Sequence, residues 1–287
     1  MIACPVCSGF DVRTKRVETE PPLVRCRECG LLFATEAVPE PRRTQLSEAE
    51  RRVEERVAVR RTPHFEALLR SAGAPGRLLD VGTGVGTLVR LAAARGWSAV
   101  GIDVDPAVVG YARAHGLDVR LGELSKLELP AESFDLVTLW NVLDFLVDPV
   151  AVLAECRRVL VPGGRIFVRV PNVPWHLQGV RVARVLAAVG LARLVRGRAR
   201  WLAIFHHSNF AAATLRVALD RAGFAAITLG NSAPISGDPY LGFGRTGELA
   251  LALAKRAVFA AVETAALASG GRWLLGPSIQ AWARKPG

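Results

Sequence analysis

The chain has 287 residues, 51 % of them hydrophobic and 22 % charged, a composition that builds a globular core and excludes a disordered chain. Its longest stretch free of Asp, Glu, Lys and Arg is residues 222–237, which holds Pro234 and three glycines, so no stretch supplies the ~20 apolar residues of a bilayer-crossing helix. The net charge of +11 is uneven, because the interval from Glu155 to Asp220 holds eleven arginines and no acidic residue; this reads either as a general arginine bias or as a basic face for phosphates or anionic lipid.

The N-terminus shows no basic stretch followed by an apolar run, so a secretory signal is not expected and a cytoplasmic location is. Cys4, Cys7, Cys26 and Cys29 form C-x2-C-x18-C-x2-C. Two such knuckles bring four thiolates around one ion, and a four-sulfur site is closed and structural. The spacing predicts a zinc ribbon, with a small hairpin between the knuckles over Phe10 to Arg25. Disulfides are disfavoured in a reducing compartment. Gly9 and Gly30 follow the knuckles, where a tight turn favours positive φ. The fifth cysteine, Cys156, sits in a helical pattern of apolar residues and is expected in the core.

Residues 36–61 are polar and charged, and Pro39 and Pro41 mark a linker. Ser47 with Glu50 three residues later resembles a capping box opening a charged helix. The domain boundary is therefore placed near residue 45. Residues 1–45 are read as ribbon and linker, and 46–287 as the main domain.

Residues 77–87 read RLLDVGTGVGT. A short apolar strand, Leu78 to Val81, runs into a glycine turn and then a helix, Leu88 to Ala94. Glycines let the backbone approach a ligand, and the helix start offers free N–H groups. No Gly-Lys-Ser/Thr follows, so this is not a P-loop. Asp80 ends the first strand. A second strand, Ser98 to Ile102, ends at Asp103, 21 residues after Gly82, where a carboxylate can accept two hydrogen bonds from a ribose diol. A third strand, Asp118 to Leu121, leads to Gly122 and Glu123. A fourth, Phe134 to Leu139, leads to Trp140 and Asn141. Polar residues at the carboxyl ends of successive strands mark the ligand edge of an open parallel sheet.

These segments resemble class I S-adenosylmethionine-dependent methyltransferases over about residues 65–285. LLDVGTGVGT is similar to the family's first motif and GIDVDP to its second-strand motif. GELSKLELPAESFDLVTLWNVLDFLVDP is similar to the adenine-side segment and fourth strand. LAECRRVLVPGGRIFVRVPN is similar to the next helix and strand, and HHSNFAAATLRVALDRAGF to the helix before strand six. The four-cysteine ribbon resembles that of many bacterial methyltransferases encoded with sugar, cell-envelope and secondary-metabolite pathways. The resemblance implies a doubly wound, mostly parallel seven-stranded α/β sheet, Rossmann-like, and S-adenosylmethionine as cofactor. It implies that Gly82, Thr83, Gly84 and Gly86 pass the methionine part, with Asp80 orienting the loop or meeting the amino group. Asp103 is then the ribose ligand, Val104 lies beside the adenine, and Glu123 and Leu124 flank it. Asn141 stands where relatives carry a polar residue after the fourth strand. Their frequent His-Val-Leu-Glu-His reads here Asn141, Val142, Leu143, Asp144, Phe145, with both histidines replaced.

Methyl transfer needs alignment of nucleophile and methyl, and a hydroxyl or carbon acid also needs a base. His206 and His207 precede Asn209 and a helix over 210–221, and tandem histidines allow one inward and one outward ring. Either is a candidate base. Asp144 is the second candidate and Tyr240 a third. His64 and His115 read as surface or helix residues.

An insert at about 174–205 contains VRVARVLAAVGLARLVRGRARW, a basic amphipathic helix interrupted at Gly190. It reads as a lid over the pocket or as a peripheral contact with the inner face of the membrane. Residues 248–268 predict a long helix, apolar on most faces, and Ile279 to Ala283 the last strand. The leading function is methyl transfer to a small-molecule, sugar-linked or lipid-linked acceptor, with O- or C-methylation ahead of N-methylation. An RNA methyltransferase and a non-catalytic cofactor-binding module are the alternatives. Nucleic acid is less favoured as a partner. No Asn-Pro-Pro-aromatic motif follows the fourth strand, and only Trp175 and Trp201 lie among the arginines of the insert.

Overall fold

The computed structural model describes residues 2–17, 22–36, 44–190, 204–235 and 245–287. Three strands come first: β1 (Val12–Val17), β2 (Leu23–Cys26) and β3 (Leu32–Ala34). Helix α1 (Glu48–Ala72) then opens at the Ser47 capping box. Glu50 N donates to Ser47 Oγ at 3.3 Å, and Ser47 N donates to Glu50 Oε2 at 2.8 Å, so two amides of the helix start are satisfied reciprocally.

The main sheet is built from β4 (Arg77–Val81), β5 (Ser98–Asp103), β6 (Val119–Leu121), β7 (Phe134–Trp140), β8 (Leu160–Pro171), β10 (Ala225–Asn231) and β11 (Ser278–Arg284), in the order β10-β11-β8-β7-β4-β5-β6. The β10/β11 and β11/β8 pairs are antiparallel and the rest parallel. Four of the five residues of β4 are buried, the continuous apolar run expected of a strand covered on both faces. Helices α2 (Thr87–Ala93) and α3 (Pro106–Ala114) follow β4 and β5. The later α-helices are α4 (Pro149–Val159), α5 (Val173–Ala188), α6 (Ala212–Arg221) and α7 (Arg245–Ala268). The predicted α/β architecture is the observed one.

On one face, Phe65, Leu68 and Leu69 of α1 pack with Leu88, Leu91, Trp140 and Phe167. On the other, Leu153 and Cys156 of α4 and Leu215 and Ala218 of α6 form the larger core. Cys156 is fully buried there, and burial pushes its thiol well above the usual range.

The ribbon does not stand apart. Cys4, Val6, Val24, Leu31 and Phe33 belong to the same buried cluster as Leu153 and Leu215. A two-residue strand, β9 (Ser208–Asn209), pairs antiparallel with β3, giving a four-stranded sheet β1-β2-β3-β9. At the first knuckle the positive φ falls on Ser8 and not on Gly9; Gly9 instead leaves room for the Glu28 carboxylate, which a Cβ would meet at 2.1 Å.

In the basic insert, α5 ends just before Gly190, at the interruption read from sequence. Residues 191–203, and with them most of the arginines of the insert, lie outside the described residues, as does Tyr240. Among the described residues no helix is long and apolar enough to cross a membrane.

Candidate active site

The glycine loop leaves β4 and turns at once. Gly82 N and Thr83 N both donate to Ile102 O, at 2.8 and 3.0 Å, which fastens the loop to the end of β5. Gly82 has φ +69, and a Cβ there would lie 2.3 Å from Val142, so only glycine fits both the backbone and the space. Gly84 also has positive φ, but a Cβ there would meet nothing within 4 Å. It faces open space, as a loop that lets a ligand approach its backbone must. Gly86 caps α2.

Asp103 joins this loop from β5. Its Oδ2 accepts from Gly84 N at 2.8 Å and its Oδ1 from Asp105 N at 3.0 Å. Val104, next in the chain, is exposed. On the neighbouring strand Gly122 N donates to Asp103 O, which brings Glu123 and Leu124 to the same edge. Leu124 is buried, while Glu123 is exposed and paired with Lys126 at 2.8 Å.

Asp80 lies beneath the loop, buried, accepting from Thr138 Oγ1 at 2.6 Å. Burial pushes its carboxyl up to about 6, against the lowering effect of the hydroxyl. The cleft above it is roofed by α1. Its lining includes Glu54, Arg61 and Phe65 from that helix, with Asp80, Gly84 and Trp140. The roof was not foreseen from sequence. The one available signal was the charged helix itself, whose Val57, Phe65, Leu68 and Leu69 share a buried face while Val59 is exposed.

A second group lies beyond β7. Asn141 has φ +55, a conformation rare for a side-chain-bearing residue. Its Oδ1 accepts from Arg169 Nη1 at 2.5 Å, and Arg169 Nε donates to Ser232 Oγ at 2.8 Å. Arg169 is 5 % exposed and its guanidinium lies 4.7 Å over the Trp140 ring. Burial and the nearby Arg61 bring it down to about 9. Neither Arg169 nor Trp140 was singled out from sequence as a site residue, because arginine in a strand and tryptophan at its end carry no motif of their own.

Asp144, 2 % exposed, faces His206: Oδ2 and Nδ1 are 2.5 Å apart, and Oδ1 is buried without a hydrogen bond. The His206 ring stacks on Phe145 at 3.8 Å. Its Nε2 bonds to none of the described residues. Asn209 clasps the backbone around it. Its Oδ1 accepts from His206 N at 2.9 Å, and its Nδ2 donates to His206 O at 2.7 Å and to Leu32 O of β3 at 3.3 Å. His207 is buried, and burial lowers its pKa. Its carbonyl accepts from Ala34 N of the ribbon at 2.8 Å. Of the tandem pair, then, His206 meets Asp144 and His207 is packed inside. His64 lies on α1 against Trp140, with ring centroids 5.9 Å apart.

The four ribbon cysteines have all their Sγ atoms within 4.8 Å of one another, with Cys4–Cys29 and Cys7–Cys26 each at 3.5 Å. The four are free thiols, and 3.5 Å is far beyond the ~2.05 Å of a disulfide. A tetrahedral ZnS4 centre with bonds of about 2.3 Å has sulfur–sulfur edges of roughly 3.8 Å. The donor set and its size therefore fit that ion. The hydrogen bond between Cys4 and Cys29 lowers the Cys4 thiol and raises that of Cys29, as expected of two sulfurs sharing one proton.

The seven-stranded order, with a glycine loop after β4 and an acid at the end of β5, defines a Rossmann-like methyltransferase fold. The chain belongs to the methyltransferase-domain family, whose model matches residues 50–229. It is 39 % identical over 149 residues to a ubiquinone biosynthesis O-methyltransferase of Hahella chejuensis, and 37 % identical over 143 residues to one of Xanthomonas oryzae pv. oryzae. These alignments cover 49 % and 47 % of this chain, and the chain spans 62 % and 56 % of the relatives' lengths. A solved S-adenosylmethionine-dependent methyltransferase from Archaeoglobus fulgidus shares the fold with a TM-score of 0.52 at 16 % identity, over 80 % of this chain and 94 % of that one.

Proposed function

We propose that the protein methylates a hydroxyl group of a small-molecule, sugar-linked or lipid-linked acceptor, with S-adenosylmethionine as the methyl source. The observation that carries this reading is the His206–Asp144 pair, with Asp144 four residues after Trp140, which lines the cleft beneath α1 that would take the cofactor. The fit rests on the loop: Gly84 opens on empty space, and the Asp103 carboxylate already sits against its amide. The likeness to O-methyltransferases supports oxygen as the methylated atom.

Gly82, Thr83, Gly84 and Gly86 would pass the methionine part, and Asp103 would hold the ribose. Asp80, with Arg61 from the roof, would meet its charged end. Val104, Glu123 and Leu124 would border the adenine, and Asn141 the methyl end. When bound, the cofactor supplies an electrophilic sulfonium methyl, so the chain's own work is alignment and proton removal. His206 takes the acceptor's hydroxyl proton at Nε2. Asp144 holds the Nδ1–H tautomer and stabilises the imidazolium that results. His207, packed inside, takes no part in this step.

Zinc on Cys4, Cys7, Cys26 and Cys29 is the structural metal in this reading. Residues 1–45 serve as ribbon and linker, and 46–287 carry the transfer. Helix α5 offers a peripheral membrane contact to a cytoplasmic protein. Val182 and Val185 are exposed on it and Val189 just past its end, beside Arg181 and Arg184.

The test is transfer of label from methyl-labelled S-adenosylmethionine to a panel of catechols and phenols, and to fractionated cell extract. Label on an acceptor oxygen, lost in His206→Gln with cofactor affinity intact, is expected. Label found only in RNA overturns the reading.

A further inference from the structure

Arg169 poses a problem that the transfer reaction does not answer. A buried guanidinium is costly unless an anion faces it. Its hydrogen-bond acceptors here, Asn141 Oδ1 and Ser232 Oγ, are both neutral. Nη2 donates to none of the described residues. Of the nearby acids, Asp144 acts on Arg169 through space but bonds only His206, through Oδ2, and leaves Oδ1 without a hydrogen bond, while Asp80 bonds Thr138; neither carboxylate bonds the guanidinium. Arg61 adds a second positive charge rather than a compensating one.

A second orphan lies against the first. The indole Nε1 of Trp140 is buried and has no hydrogen bond, although the residue is only 7 % exposed and lines the cleft. An indole N–H is a donor only. Trp140 and Arg169 are register partners at the ends of β7 and β8, and the guanidinium lies over the indole. Two unanswered donors of this kind, side by side, call for an oxyanion. The planar guanidinium fork suits a carboxylate.

Sheet order says whose carboxylate it is. The glycine loop follows β4 and the ribose acid ends β5, while Arg169 sits on β8. That is two strands from β4 on the side away from β5, about 10 Å at the usual strand spacing. It is also the side of Asn141, whose side chain Arg169 holds. We propose that Arg169 and the Trp140 indole form a receptor for a carboxylate carried by the methyl acceptor, so that this enzyme selects acidic hydroxylated substrates. The assignment deepens the O-methylation reading and rests on it for the identity of the ligand.

The test uses the full chain and 4-fluorobenzoate as probe, followed by fluorine NMR, with 4-fluorobenzyl alcohol as its uncharged counterpart. The acid is expected to bind at least tenfold more tightly than the alcohol. Arg169→Met is expected to abolish that discrimination, and Trp140→Phe to reduce it severalfold. Saturating S-adenosylhomocysteine is expected to leave benzoate binding within twofold. Equal binding of acid and alcohol to the wild type overturns the proposal, whatever the variants do. So does displacement by S-adenosylhomocysteine, which would place the anion in the cofactor's own carboxylate position. A purely structural Arg169 would lower the stability of Arg169→Met without producing an acid-over-alcohol ratio in the wild type. Methyl transfer is read separately on 3,4-dihydroxybenzoate and 3,4-dihydroxybenzyl alcohol. Transfer to both at equal kcat/KM sinks the receptor and keeps the O-methylation reading. Benzoate binding with no transfer to any hydroxyl sinks O-methylation and keeps the anion receptor.

Discussion

The two halves of the proposed site, the cofactor side and the acceptor side, are held by different means. On the cofactor side, backbone amides do most of the fastening. Gly82, Thr83 and Gly84 bond to Ile102 and Asp103, and every partner lies within about two dozen residues of the next. On the acceptor side, side chains bridge remote elements. His206 meets Asp144 across 62 positions, and Arg169 meets Ser232 across 63. The glycine loop is thus fastened locally, and the longer reach on this side is that of Asp80 beneath it, which bonds Thr138 58 positions away. The acceptor side depends on several elements arriving together, the ribbon included, and a fault in any of them should reach the chemistry without touching cofactor affinity.

Variants can break this contrast or sharpen it. The largest effect is expected for His206→Gln, which removes the proposed base and should lower kcat by 10²- to 10⁴-fold while S-adenosylhomocysteine affinity stays within twofold by calorimetry. A parallel loss of affinity would show that the two halves are not separable. Next is Cys26→Ser. It should lose the metal, lower the melting temperature and cut methyl transfer by ten- to a hundredfold, an estimate that treats the ribbon as the support of the His206 loop. Metal content by emission spectroscopy is the first check, and full occupancy in the variant would contradict the four-sulfur site. Asp103→Ala comes third and acts on the other half. Cofactor binding should weaken about tenfold, or 1.4 kcal/mol, with kcat at saturating cofactor nearly unchanged.

Two further expectations, outside the transfer step itself, concern Asp80 and Asn209. Because burial raises the Asp80 carboxyl to about 6 from its ordinary 3.8, the folded chain holds that proton more tightly than the unfolded chain does. Stability must then fall as pH rises from about 4 to about 6, by an amount on the order of 3 kcal/mol for a shift of this size. Urea titrations of Asp80→Asn should lack that fall, and an unchanged pH profile would remove the shift from consideration. Asn209→Ala should lower kcat only severalfold, by loosening the clasp on His206. Its cofactor affinity should match the wild type.

The same contrast explains how much could be read from sequence. The glycine loop, Asp80 and Asp103 were legible because their spacing along the chain is their spacing in space. The cysteine quartet was legible for a similar reason, since two short knuckles carry all four sulfurs. The sheet followed from apolar runs ending in polar residues. His206, His207 and Asp144 could be named as separate candidates, but their relation could not. Tandem histidines look alike until a fold buries one and gives the other a carboxylate. Arg169 and Trp140 were hidden more deeply, because a guanidinium in a strand reads as one more positive charge among eleven. The roof formed by α1 was hidden as well: its charged pattern predicts a helix but not what the helix covers.

The pairing of β3 with β9 has a consequence for how the molecule is made. All four cysteines have been synthesised by residue 29, yet Leu32 accepts its bond from Asn209, 177 positions later. At the 5–20 residues per second of translation, that interval lasts roughly ten to thirty-five seconds. Through all of it the edge of β3 is open and the ribbon's apolar face lacks its partner, while the four cysteine thiols proposed to hold zinc are already available. Metal capture can therefore precede closure of the shared sheet, and the nascent ribbon would wait as a preformed template on which the His206 segment is later laid down.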